Sequence, residues 1–324
     1  MKILILGGTR FVGRALAQRA LTEGHDLTLF HRNPTDLFPE ARHLLGDRNE
    51  GHSALAGESF DAAIDVSAYV PRIAGDAART IRANHYVFVS TISVYSPPVA
   101  AEADETHPLL PAVCDTEEVN GDTYGGLKVA CEEEVRAARA DAAVVRPGVV
   151  GGAHDPTNRL AYYVRRFRLG GAMLIPPRPE QPIQIVDARD LAGFMLHLAI
   201  NGTSGEFNAV GPEVYLRDLW SIGQEISPGI QYVPLSDEQA NPQGIEFGRD
   251  LPLYASADQQ GMFQMSAFRA EAQGFIRRPF RETVFETDAW LQADDPGVGS
   301  AKYGQLTPAR EAEVIARLSK LRGV

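Results

Sequence analysis

Twelve residues at the start of the chain constrain its fold more than any other stretch: Lys2-Ile3-Leu4-Ile5-Leu6-Gly7-Gly8-Thr9-Arg10-Phe11-Val12-Gly13. The apolar run from Ile3 to Leu6 has no alternation, as a strand buried on both faces of a parallel sheet requires. Glycines then permit a tight turn. After it Phe11, Val12, Leu16, Ala20 and Leu21 recur at helical spacing. Strand, glycine turn and helix N-terminus in that order aim the backbone N–H groups of Gly7, Thr9, Arg10, Phe11, Val12 and Gly13 at one spot, which suits a pyrophosphate. An ordinary βα turn uses glycine for geometry alone, but the order of the elements at the very N-terminus favours a dinucleotide.

The next units extend this pattern. Residues 27–30 read as a second strand ending at His31-Arg32-Asn33-Pro34. In NAD-binding units an acidic residue stands about 20 residues past the glycines and takes the ribose hydroxyls. Here His31 and Arg32 stand there, with Arg10 in the glycine loop. Cationic donors suit a 2′-phosphate, so NADP(H) is favoured over NAD(H), the alternative being that these are solvated loop residues. Short strands over 43–45, 60–66, 86–89 and 143–145, with a helix over 71–81, continue the alternation. This predicts an α/β fold with a doubly wound parallel sheet, whose ligands sit beyond the carboxyl ends of the strands. Asp47, Ser67 and Thr91 stand at such ends.

At 324 residues the chain has the length for one large domain or two. Its net charge of -11 argues against a nucleic-acid backbone as the main partner, which needs a basic footprint. Two cysteines, Cys114 and Cys131, offer neither a disulfide framework nor metal spacing, so a reducing cytoplasm is the expected compartment. The apolar N-terminus is one strand long and lacks a cleavage site, so neither a signal peptide nor a membrane span is expected.

Residues 96–122 are rich in Pro, Glu, Asp and Thr without periodicity, and read as a lid near the substrate. Tyr124-Gly125-Gly126-Leu127-Lys128 then starts a helix, so Tyr124 and Lys128 share a face. An ammonium beside a phenol favours the phenolate and makes the tyrosine a usable acid/base. Thr91, at the neighbouring strand end, is placed to hydrogen-bond a substrate oxygen.

Together Lys2–Gly13, the segment 90–95, Tyr124-x-x-x-Lys128, Arg146-Pro147 and the segment Ile185-Val186-Asp187-Ala188-Arg189-Asp190-Leu191-Ala192 resemble the short-chain dehydrogenase/reductase superfamily, in its extended or atypical subgroup of NAD-dependent epimerase/dehydratase-like proteins. The resemblance implies a Rossmann domain over 1–150, rejoined by 180–204, and a smaller C-terminal α+β substrate domain over 151–179 and 205–324. It assigns Thr91, Tyr124 and Lys128 to a Ser/Thr-Tyr-Lys triad, with Tyr124 as acid/base and Lys128 also holding the nicotinamide ribose. By the same matching Asp47 faces the adenine, and Ser67 and Ala68 line the cofactor.

The sequence also departs from the family. The middle glycine of the loop is Arg10, a variant shared with members that resemble plastid RNA-binding proteins. Val149 and Ile183 stand where nucleotide-sugar enzymes carry an Asn and a diphosphate-gripping Arg, and Ile92 and Ser93 replace the acid and base of sugar dehydratases. Dehydratase chemistry is therefore not expected. Candidate substrate contacts are Ser93, His154 in a Gly/Pro-rich loop, and Arg159 at the start of an arginine-rich helix, although loop histidines and arginine runs are commonly solvated. The expected activity is hydride movement between a nicotinamide and a small-molecule carbinol or ketone carbon, by epimerisation or net reduction. A non-catalytic NADP-binding sensor or RNA-associated protein on the same fold is the alternative. A final amphipathic helix over 308–321 can pack on the body or on a second subunit in a homodimer.

Overall fold

The computed structural model describes residues 1–299 and 301–321. In chain order its strands and helices begin with β1 (Lys2–Leu6), α1 (Phe11–Thr22), β2 (Asp26–His31), β3 (Arg42–Leu45), β4 (Phe60–Asp65), α2 (Pro71–Thr80), β5 (Ala83–Val89), α3 (Tyr124–Ala138) and β6 (Ala143–Pro147). There follow β7 (Val149–Gly151), α4 (Arg159–Leu169), β8 (Ala172–Ile175), β9 (Pro182–Asp187), α5 (Ala188–Asn201), β10 (Gly205–Ala209) and β11 (Glu213–Tyr215). The last are α6 (Leu216–Ile226), β12 (Gln231–Pro234), α7 (Asp237–Ala240), α8 (Phe268–Ala272), α9 (Phe280–Ala293) and α10 (Pro308–Leu321).

Seven strands form one sheet in the order β10-β6-β5-β4-β1-β2-β3, and every pair in it is parallel. Ile3, Leu4, Ile5 and Leu6 are all fully buried, because helices cover both faces. Leu4 and Leu6 pack with Phe88, Ala74, Ala77 and Val135, on the side of α2 and α3. Alternation along the strand turns Ile3 and Ile5 to the other face. There α1 packs on α5.

The chain forms two units: residues 1–149, 186–211 and 265–277, and residues 150–185, 212–264 and 278–324. The boundaries differ from those read in the sequence at three places. Residues 205–209, expected in the substrate domain, are the seventh strand of the Rossmann sheet, since Phe207 pairs in register with Val145. Residues 184–186, expected to return to that sheet, belong to β9, which pairs antiparallel with β11 in a separate three-stranded sheet. Segment 265–277 also joins the first unit, where α8 packs on β10.

The second unit is built on α4, α6 and α9, with the parallel pair β8 and β12 against α10. Tyr163, Phe167, Trp220 and Tyr232 form its aromatic core. Among the described residues no helix is long and apolar enough to cross a membrane.

Candidate active site

The β1–α1 turn has the shape of a phosphate cradle. Gly7 adopts φ +94°, and a Cβ on Gly13 would stand 2.2 Å from the Gly7 carbonyl oxygen, so only glycine lets the helix start this close to the turn. Phe11 opens α1 at φ 41°, a value that costs a bulky residue about 1–3 kcal/mol and so points to function. No side chain caps α1 at Arg10, and its first turn holds no acidic residue, which keeps its dipole and N–H groups suited to an anion. These features fit a dinucleotide pyrophosphate held by the backbone of residues 7–13.

Around this turn the strand ends supply side chains. Asp47 caps a short 3-10 turn, and its Oδ1 accepts from the Asn49 backbone N–H at 2.9 Å. The Ser67 hydroxyl donates to the Leu6 carbonyl at 3.1 Å and accepts from Arg48 at 2.8 Å, so it serves the protein's own framework. Buried Ala68 offers its carbonyl, which accepts from Lys128 Nζ at 2.7 Å.

At the end of β2 the structure separates the two cationic candidates. His31 is buried, with Nδ1 against the Asn33 carbonyl and Nε2 against His43 Nδ1, both at 2.8 Å. Burial also lowers its pKa, so the imidazole is a framework group and not the phosphate donor expected of it. Arg32 is exposed. Arg10 is exposed at the other side of the turn, where its charge pulls down a Tyr69 phenol that burial pushes up.

Thr91 ends the strand run of β5 and caps the 3-10 turn Ile92–Val94, accepting from the Ser93 N–H at 3.1 Å and donating to Ser93 Oγ at 3.2 Å. Tyr124 is the first residue of α3. The next residue, Gly125, packs on the backbone of that turn: a Cβ there would lie 2.3 Å from the Ser93 carbonyl oxygen. Lys128 is 2% exposed and spends two of its three protons on the Ala68 and Val89 carbonyls, each at 2.7 Å. Burial lowers its pKa, and the ammonium lies 4.3 Å from the Phe88 ring centroid.

The half-exposed Tyr69, which the sequence reading passed over, packs its ring 6.5 Å from that of Tyr124. Residues 96–122 contain no helix or strand, yet they are tied to this region. Leu110 N–H donates to the Val94 carbonyl at 2.8 Å and Val113 N–H to the Gly126 carbonyl at 3.0 Å. A cavity of about 440 Å³ lined by Phe60, Ile81, Arg82 and Arg139 opens at the opposite, N-terminal ends of β4 and β5, away from these groups.

His154 and Arg159 belong to the second unit. His154 packs against Trp290 at 5.2 Å, and the Arg159 guanidinium lies 4.0 Å over Tyr303. The rest of the arginine run is ion-paired, with Arg166 buried and Arg168 exposed. Arg165 pairs with Asp295, Arg166 with Glu311 and Arg168 with Asp288.

Comparison with known proteins agrees with this layout. Residues 58–211 match the sequence model of the NAD dependent epimerase/dehydratase family. Over these residues the chain is similar to that family. The matched segment includes Thr91, Tyr124 and Lys128. The chain is 25% identical over 246 residues to the chloroplast stem-loop binding protein of 41 kDa b of Arabidopsis thaliana; the match covers 69% of this chain but 59% of that protein. It is 26% identical to the epimerase family protein SDR39U1 of Bos taurus, over 65% of this chain and 75% of that one. In fold it resembles the UDP-glucuronic acid 4-epimerase of Bacillus cereus, solved in complex with NAD (TM-score 0.66, 14% identity, 90% of this chain and 99% of that one). It also resembles the UDP-N-acetylglucosamine 4-epimerase of the same organism (TM-score 0.65, 16% identity, 92% and 100%).

Proposed function

We propose that this protein is an NAD(P)-dependent epimerase or reductase acting on a carbinol or ketone carbon of a small molecule. The observation that supports the reading is the packing of Gly125 on the Ser93 carbonyl, which sets the start of α3 against the 3-10 turn that Thr91 caps. Bound nicotinamide would supply or accept the hydride. The chain's residues 7–13 would hold the pyrophosphate, Asp47 the adenine side and Lys128 the nicotinamide ribose. Tyr124 would pass the hydroxyl proton to or from the substrate oxygen, Thr91 would orient that oxygen, and Ser93 would help to hold it. His154 and Arg159 are carried as contacts for the substrate's remote part.

Arg32 supports NADP(H) over NAD(H), because an exposed guanidinium at the end of β2 suits a 2′-phosphate. Titration with NADPH and NADH, followed by tryptophan-to-nicotinamide fluorescence, tests this. Arg32→Ala should weaken NADPH binding about tenfold or more and leave NADH binding unchanged. A preference for NADH that ignores the mutation would remove the argument.

Arg10 and the stem-loop binding relative favour a second reading, an RNA-associated protein without turnover; the net charge of -11 speaks against it. Tyr124→Phe separates the two. A catalyst should lose roughly 10²–10⁴-fold in rate, while RNA binding has no use for the phenol.

A further inference from the structure

Beneath the cradle lies a group that neither the family pattern nor the triad uses. Arg48 Nη1 and Nη2 donate to the two oxygens of Asp65 at 2.7 and 2.6 Å, and Nη1 also donates to Ser67 Oγ at 2.8 Å. Asp65 is fully buried at the end of β4 and accepts further bonds from the Ser67 N–H and the Tyr86 hydroxyl, both at 3.1 Å. Ser67 in turn fixes the turn above it: its hydroxyl holds the Leu6 carbonyl, and the missing Cβ of Gly7 would stand 2.7 Å from its Oγ.

We infer that Arg48 is a positioning residue of the cofactor site, one side chain that sets both the pyrophosphate turn through Ser67 and the adenine-side carboxylate through its neighbour Asp47. This rests on the dinucleotide reading of the turn. Arg48 opens the 3-10 turn that Asp47 caps, so anchoring its guanidinium on β4 fixes where Asp47 stands relative to Gly7. The task needs a planar fork with more than two donors, which lysine lacks. Stability alone does not account for the residue. Its Nε is buried without an acceptor among the described residues, and buried ion pairs specify position better than they stabilise.

Arg48→Lys and Ser67→Ala test the inference, with Arg146→Lys as the control. Arg146 forms a pair with Glu132 in the same unit, buried on both sides, and makes no hydrogen bond to the turn among the described residues. Dissociation constants for NADH and NADPH and thermal midpoints are measured for all four proteins. Arg48→Lys should weaken both dinucleotides roughly tenfold and Ser67→Ala several-fold, while Arg146→Lys lowers the midpoint and leaves affinity within about twofold. Unchanged affinity in a folded Arg48→Lys, or equal weakening by Arg146→Lys, overturns the inference. If Arg48→Lys does not fold, Ser67→Ala decides, and unchanged affinity there overturns it. Wild-type protein that binds neither dinucleotide removes the underlying dinucleotide reading instead.

Discussion

A carboxylate in a strand whose neighbours are apolar must be paired or neutralised. Burial alone would push the Asp65 carboxyl up; the Arg48 charge and hydrogen bonds reverse this and hold it below its ordinary value. Its ionised form therefore stabilises the fold above the ordinary carboxylate pKa, and that contribution is lost as pH falls through the lower folded value. Arg48→Met should cost about 3–5 kcal/mol, because it strands a buried charge, and Arg48→Met with Asp65→Asn should recover most of it. Urea midpoints at pH 7 check the first claim; a double variant no more stable than the single one would contradict the second. Asp65 announced its need for a cation within Phe-Asp-Ala-Ala-Ile-Asp, but nothing in the sequence names Arg48 as the partner. His31 shows the opposite error. Its charge class was legible, while the carbonyl of Asn33 and the ring of His43 that occupy it were not. Pairing across a sheet leaves no periodic trace.

At the scale of elements, β1 to β6 were legible because each is a short apolar run between turn residues. Residues 205–209 pair with β6 and not within the substrate domain expected of them, since so short a run carries no sign of which sheet it joins. The start of α3 was read from Tyr124 and Lys128, while Gly125 between them went unremarked. Glycine in a helix normally costs about 1 kcal/mol against alanine. Gly193, in α5 with nothing within 4 Å of an added Cβ, should obey that rule, and Gly193→Ala should raise stability by about 1 kcal/mol. Gly125→Ala should do the reverse, since its methyl meets the backbone of Ser93 at 2.3 Å. Because the helix must shift, turnover should fall more steeply than thermal stability. Parallel measurement of kcat and Tm checks this, and a Gly125→Ala enzyme with full kcat would count against the role proposed for Tyr124.

For the whole molecule, the length allows one domain or two, and the path of the chain between its two units was not legible. The polypeptide passes from one unit to the other five times, and the first unit is finished only by residues 265–277. Residues 1–149 alone lack β10, so β6 is left as an unpaired edge of fully buried side chains. That fragment should collect in the insoluble fraction on expression, whereas the full chain should not; a soluble, cooperatively melting fragment would contradict this. The same arrangement has a meaning during synthesis. A ribosome releases β6 well before β10, and the segment that seals β10 comes later still, after most of the second unit. The nascent Rossmann sheet must therefore wait, open on one side, for its last strand. Crowding by chaperones or slow elongation over residues 150–211 should govern how much of this protein a cell obtains.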